Sequence, residues 1–454
     1  MMAHAGEPGD PDYHRDPVSL TRLDLRGVPA GGLAGALPRP PLESTFPTEA
    51  VRGILDQVAS GGDTAVRTLT ARFDGVDLTE LRVPAAEIAE ALGAIPPDLR
   101  AALEHAYARI LAYHRHEPDP AGDFESEGIR VRHLLRPVAR AGLYAPGGRA
   151  RYPSTVLMAA VPATVAGVDE TVLCVPPGPD GHVAPETLAA AAIAGVTEVY
   201  RIGGAQAIGA MAYGTETLRP VDLIVGPGNR YVAEAKRQVS GIVGIPAGFA
   251  GPSEVVVVAD ETVPAAWAAV DIVLQAEHGP DGLAWLVTWS EAVAEAVTRA
   301  VTELVASSPR RADLEATLGT GGYAVLVDGP VEAIAVANVV APEHLELLTE
   351  RAEDLLPLVR RAGAVFLGAH APASLGDYLA GPNHILPTAR TARFASALRV
   401  DDFRTHIHVV SAGPAGLAAV AADVALLAEA EGLPAHALSV RLRGADGADP
   451  GAGS

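Results

Sequence analysis

The sequence predicts an α/β protein of two doubly wound domains with mainly parallel sheets, plus small N-terminal and C-terminal segments. Three observations lead there. The chain has 454 residues, too many for one ordinary core, since single domains usually run to about 100 to 200 residues. Hydrophobic residues make up 49% of it but aromatics only 4%, so Ala, Val, Leu and Ile must fill the interior, which suits helices packed on buried parallel strands. Short apolar runs also alternate with helical patterns across glycine turns, as parallel crossovers require.

The elements follow in order. Residues 1–38 read as a polar, Gly/Pro-rich tail and a small segment, with order expected from LTRLDLRG. Helices are expected at about 46 to 59 and 97 to 115, before VRHLLRPVARAGLYAPGG passes through strand-like residues into a glycine turn at 146 to 148. A first α/β series then spans 140–251: a helix from Ser154 to Ala166, the strands ETVLCV, EVYRIG and DLIVG, and helices at 185 to 194, from GGAQ to Tyr213, and at 230 to 239. The second series starts at SEVVVVAD and continues through a helix ending near His278, LAWLVTW, SEAVAEAVTRAVTELVA, YAVLV, a helix near 330 to 338, and GAVFLG. Residues 39–139 and 252–398 are expected to form this domain, with 140–251 inserted into it. Residues 399–454, with THIHVV, an Ala-rich helix near 414 to 431 and EGLPAH, are too few for a core of their own and should dock on a neighbour or another subunit.

Composition excludes several roles. A formal charge of −21 without a Lys/Arg cluster argues against nucleic acid, although backbone N–H groups still suit an anionic nucleotide at short range. A single cysteine, Cys174, in the core-like run TVLCV, rules out an internal disulfide and a cysteine metal cluster, so any metal rests on His, Asp, Glu or amide oxygen. The opening residues carry neither a basic leader nor an apolar stretch, and the longest uncharged runs are not membrane spans, which makes the cytoplasm the expected location.

Candidate chemistry concentrates in the second series. Gln275 and His278 are three apart at the end of an expected helix and share a face, although such pairs are more often solvated than metal-bound. Glu343 and His344 follow Pro342 at the start of an expected helix, and a carboxylate beside an imidazole is what proton transfer near neutral pH requires. Asp377 and His384 sit in the Gly/Pro-interrupted stretch GDYLAGPNHILPT, of the kind that forms the rim of an α/β sheet. His436 lies in EGLPAH. The GPGN turn after DLIVG, with Gly226 and Gly228 before a helix, suits a dinucleotide phosphate, although Tyr231 stands where a third glycine would complete that fingerprint.

Nine segments in sequence, GLYAPGG, IGGAQAIGAMAYGTE, VGPGNRYVAEAKRQVSG, AGPSEVVVVAD, LQAEHGP, APEHLEL, GDYLAGPNHILPT, ARFASALRVDDF and EGLPAH, resemble the histidinol dehydrogenase family over about residues 22 to 443. The resemblance implies Rossmann-like domains of the aldehyde/histidinol dehydrogenase type and the last step of histidine biosynthesis: zinc-dependent oxidation of L-histidinol through the aldehyde to L-histidine, with two NAD. It implies one Zn²⁺ per subunit on Gln275, His278, Asp377 and His436, a mixture of imidazole and oxygen that suits this ion. It implies His344 as the base for the alcohol proton and Glu343 as the base for water in the second stage. Substrate contacts would come from Ser253, His384 and Glu431 in addition to the metal ligands and His344, and NAD contacts from Tyr144, Gln206 and Asn229. It also implies a homodimer in which Glu431 and His436 cross into the partner's site, with no nucleic-acid or membrane partner.

Four departures from that family pattern stand out: Gly279 where Asp is usual, Ala160 where Asn is common, the segment Pro246 to Phe249, and Ala389 with Arg390 where glycine-like residues are usual. None removes a proposed ligand or base. Other readings of the same residues are a relative that oxidises another small polar alcohol, a zinc hydrolase using Glu343 as base, and a non-catalytic binding protein.

Overall fold

The computed structural model describes residues 19–38, 47–118, 122–147, 151–247, 253–277, 279 and 282–445. The chain begins with β1 (Thr21–Asp24) and α1 (Leu33–Ala36), followed by α2 (Thr48–Asp74), α3 (Ala85–Ala94) and α4 (Pro97–Arg115). A hairpin of β2 (Asp123–Ser126) and β3 (Ile129–Pro137) leads into β4 (Arg140–Tyr144), α5 (Pro153–Ala166), β5 (Glu170–Val175), α6 (Pro185–Ile193), β6 (Glu198–Arg201), α7 (Gly204–Tyr213), β7 (Leu223–Val225) and α8 (Arg230–Val239). The second series is β8 (Glu254–Ala259), α9 (Ala265–Ala276), β9 (Leu283–Thr288), α10 (Glu291–Ser307), α11 (Arg311–Gly321), β10 (Gly322–Leu326), α12 (Pro330–Val340), β11 (His344–Leu348), α13 (Ala352–Leu355), β12 (Ala364–Leu367) and α14 (Ala373–Tyr378). The chain ends in β13 (Arg404–Ala412), α15 (Pro414–Ala430) and α16 (Pro434–Ala445).

Two all-parallel sheets result, as expected for a doubly wound α/β protein. One has the order β6-β5-β4-β7, the other β1-β10-β9-β8-β11-β12. Strand residues alternate between two helical layers. In the first sheet Leu143, Leu173 and Val225 pack with α3 to α6, while Val172, Cys174 and Ile224 pack with α2, α7 and α8. In the second, Val255, Val257 and Leu286 face α9 to α11, while Val256, Val258 and Leu345 face α12. Aliphatic side chains thus fill both faces of both sheets, as parallel strands covered by helices demand. A third sheet, β13-β3-β2, is antiparallel and largely exposed.

Three local expectations change. Glu343 and His344 do not begin a helix: α12 ends at Val340, its cap Ala341 is left-handed (φ 52°), and after Pro342 the run HLELL becomes β11, buried at all five positions between β8 and β12. Leucine and glutamate favour helix locally, but a slot between two buried strands overrides that preference. The helices before residue 140 pack on the four-stranded sheet, not with the second series: α2 lies on α7 and α8, α3 on α6, and α4 on α5. β1 is not part of a separate small segment but an edge strand of the six-stranded sheet, paired with β10. The helix α9 ends at Ala276, so Gln275 occupies its last turn, while His278 lies outside the described residues.

Candidate active site

The two parallel sheets face each other across one cleft, whose walls include Tyr144, Gln206 and Asn229 on one side and Glu343, His344 and Asp377 on the other. Ser253 and His384 also line it.

The first wall is the carboxyl edge of the four-stranded sheet. Successive strands run outward from β4 through β5 to β6, then the chain returns to place β7 on the other side of β4. This reversal opens a crevice at the ends of β4 and β7, where doubly wound sheets bind ligands. Tyr144 ends β4, and its hydroxyl accepts the Gly204 N–H at 3.1 Å, fixing the first turn of α7 that carries the buried Gln206. The turn after β7 has Gly226 at φ +110°, where a Cβ would drive into the Tyr144 carbonyl. Asn229 caps α8 through its Oδ1, which accepts from the N–H groups of Tyr231 (3.0 Å) and Val232 (3.2 Å). Behind the turn, the fully buried Lys236 donates to the Gly226 carbonyl, and burial pulls its ammonium down to about 7.

The second wall is the amino edge of the six-stranded sheet. His344, the first residue of β11, has Nδ1 3.8 Å from Glu343 Oε2 and Nε2 3.6 Å from Asp377 Oδ1. Both separations exceed a hydrogen bond, so neither buried ring nitrogen is held by one. Burial pulls its imidazole down, but the carboxylates of Glu343 and Asp377 more than offset this and hold it above the usual histidine value. Glu343 is oriented by the Glu254 N–H, which donates to its Oε2 at 3.2 Å. His384 bridges the walls: Nδ1 donates to the Asp377 carbonyl at 2.8 Å, which leaves Nε2 to accept from the Thr155 hydroxyl at 3.1 Å.

Sequence reasoning missed Glu254, whose buried carboxyl is pushed up to about 8 by desolvation and by Glu343. The available signal was a lone carboxylate opening the strand EVVVV. Of the departures, Ala160 is buried inside α5 and Gly279 takes φ +153°, a conformation that favours glycine over Asp. Ala389 and Arg390 are both left-handed (φ 52° and 64°), so the positions retain a glycine-like backbone without glycine. In the fourth, Pro246 and Ala247 are described, whereas Gly248 and Phe249 lie outside the described residues.

Gln275, Glu431 and His436 are not among the residues that line the cleft in this single chain. Glu431, at the end of α15, and His436, on α16, lie exposed on the C-terminal hairpin. Among the described residues no group of three His, Cys, Asp or Glu side chains is placed to hold one metal ion. Of the four ligands that the resemblance implies, the Asp377 carboxylate lines the cleft, Gln275 sits almost wholly buried in the last turn of α9, His436 is exposed, and His278 lies outside the described residues.

A nucleotide-type turn at the switch point of one parallel sheet, opposite an imidazole between two carboxylates at the edge of another, defines an α/β oxidoreductase. The chain belongs to the histidinol dehydrogenase family, whose family profile, "Histidinol dehydrogenase", matches residues 37–444. It is 47% identical over 396 residues to the histidinol dehydrogenase of Chlorobium chlorochromatii (strain CaD3), covering 87% of this chain and 92% of that one. It is 48% identical over 398 residues to that of Gluconobacter oxydans (strain 621H), with the same coverage. The crystal structure of histidinol dehydrogenase from Elizabethkingia anophelis superposes with a TM-score of 0.88 at 33% identity, over 93% of this chain and 98% of that one.

Proposed function

We propose that this chain oxidises L-histidinol to L-histidine in two NAD-dependent steps, as the last reaction of histidine biosynthesis in the cytoplasm. The observation that carries the reading is His344, held between Glu343 and Asp377 across the cleft from the Gly226–Asn229 turn. In the first step His344 accepts the alcohol proton, and as negative charge grows on that oxygen a hydride leaves the carbinol carbon for NAD on the opposite wall. In the second, Glu343 takes a proton from water, whose oxygen adds to the aldehyde carbon. The resulting gem-diolate gives a second hydride to a second NAD, and the carboxylic acid so formed releases its proton to solvent and leaves as the carboxylate.

Tyr144, Gln206 and Asn229 would hold the dinucleotide, its phosphates near the start of α8. Ser253, His384 and Glu431 would orient the substrate. Gln275, His278 and Asp377, with His436 of a second copy, would hold a Zn²⁺ that supplies Lewis-acid charge and a fixed point for the substrate's imidazole and amine. The homodimer is supported by the C-terminal hairpin, where Leu426, Leu427, Leu438 and Leu442 are more than half exposed, an apolar face that this chain alone does not cover.

The test is stoichiometric. Purified protein with zinc, excess NAD and limiting histidinol should yield two NADH per histidinol. One NADH with accumulated aldehyde removes the second step; none with histidinol, but turnover of another amino alcohol, moves the substrate; and ester or amide cleavage without NAD replaces the reading with a hydrolase.

A further inference from the structure

One buried cation takes no part in the reaction. Of the 34 Lys and Arg residues, Lys236 is the only lysine, and every other is an arginine. Among the described residues it is also the most deeply buried of them, 1% exposed on the inner face of α8. Its neighbours along that face, Val232 and Val239, belong to an apolar cluster with Ile208 and Ile224. No carboxylate among the described residues pairs with it; it donates instead to the carbonyl of Gly226, ten residues earlier in the turn before α8. Losing one of its protons would still leave a donor, so this contact does not depend on the charge of the amine.

The position calls for lysine in particular. An arginine would carry a broad guanidinium and its fan of donors into an apolar layer where Gly226 offers a single carbonyl. The turn rests on α8 at three points: Asn229 caps the helix, Gly228 lies so close over Val232 that a Cβ would strike its side chain, and Lys236 holds Gly226. Val232 and Lys236 are four apart and share the face that grips the turn. Pro227, Gly228 and Asn229 line the cleft, whereas Gly226 and Lys236 do not. A carbonyl swung outward would set its negative end towards an anionic dinucleotide, and the bond to Lys236 keeps it on the inner side.

We propose that Lys236 is a positioning residue for the dinucleotide: without touching it, the side chain locks the Gly226 carbonyl inward and holds the turn of residues 226–229 in the shape that receives the phosphates. The inference rests on the reading of that turn as the NAD site. In Lys236→Met the NAD dissociation constant, measured by titration, should rise about tenfold, the scale of one lost buried hydrogen bond. The histidinol KM should stay within about twofold, because His344 and Asp377 stand on the opposite wall. The urea midpoint at neutral pH should not fall, which separates positioning from a general loss of structure. The single lysine also supplies a direct probe: wild-type protein labelled with ¹³C at lysine Cε gives one resonance, which NAD should shift and histidinol alone should leave in place.

Three results would overturn the inference: a folded Met variant that binds NAD as wild type does, a loss of NAD affinity matched by an equal loss for histidinol, or a lysine resonance that ignores saturating NAD or follows histidinol instead. If Lys236→Met does not fold, the labelled wild-type protein decides alone. Asn229→Asp distinguishes failure of the underlying reading, because it keeps the capping oxygen but adds negative charge where the phosphates would lie, and so should weaken NAD. If it does and Lys236→Met does not, only the inference falls; if neither does, the turn is not the dinucleotide site and both fall.

Discussion

The two parallel sheets meet at the cleft by opposite ends. The four-stranded sheet presents the carboxyl ends of β4 and β7, whereas the six-stranded sheet presents the amino ends of β8 and β11, with Glu254 and His344 as first residues. This difference has electrostatic consequences. Helices leave a parallel sheet from its carboxyl edge, so that edge collects helix N-termini, here those of α7 and α8, with N–H groups suited to an anionic dinucleotide. Helices arrive at the amino edge, so that edge collects C-termini, here those of α9 and α12, whose carbonyls favour cations. The protonated form of an imidazole is favoured there, as would be the divalent ion of the proposed function. One wall suits the cofactor and the other the acid–base chemistry.

The sharpest way to break that division is His344→Asn. It removes the proposed proton acceptor while keeping a polar group of similar reach, so kcat should fall by about 10²- to 10⁴-fold. NAD affinity, measured by fluorescence titration, should stay near wild type because the mutated group lies on the opposite wall. A comparable loss of NAD binding would mean that the walls do not act separately.

Gly226→Ala tests the other wall. At φ +110° the added Cβ meets the Tyr144 carbonyl, and backbone is the partner least able to move. The expected cost is about 3 kcal/mol of stability together with at least a tenfold weakening of NAD. Zinc affinity, which the proposed function assigns to the far wall, should not change. Loss of zinc with NAD binding intact would reverse the assignment of the two walls.

How legible was this arrangement in the sequence? The strands of both sheets were largely readable, because runs such as ETVLCV and EVVVVA are apolar, short and bounded by turns. β11 was not, since HLELL is locally helix-like and only burial between β8 and β12 makes it a strand. The motif residues of the cleft were legible through family resemblance, while spacing alone left each ambiguous. The supporting groups were harder to find because their signal is a polar residue in an apolar pattern: Glu346 between the leucines of β11, or Lys236 four residues after Val232 on the buried stripe of α8. Periodicity marks such positions as buried without naming what they touch.

Lys236 offers the mildest and most discriminating comparison, because the two walls carry buried groups of opposite kind. Glu254 is pushed up to about 8, so the folded state keeps a proton that the unfolded chain sheds above 4.5, and this contribution to stability fades as pH rises towards 8. Lys236 runs the other way. Its folded value of about 7 lies below the ordinary 10.5, so between those limits the unfolded chain binds the proton and the folded one does not. Its cost is therefore complete below pH 7 and is relieved as pH rises, by up to roughly 1 kcal/mol per pH unit. Lys236→Met keeps an unbranched stem in the same space and removes the ammonium. Relative to wild type the variant should be stabilised most at pH 6 to 7, with the advantage shrinking towards pH 9 in urea unfolding. A pH-independent difference would show that Lys236 remains charged beneath the turn, and that the first wall holds a fixed cation behind its helix N-terminus.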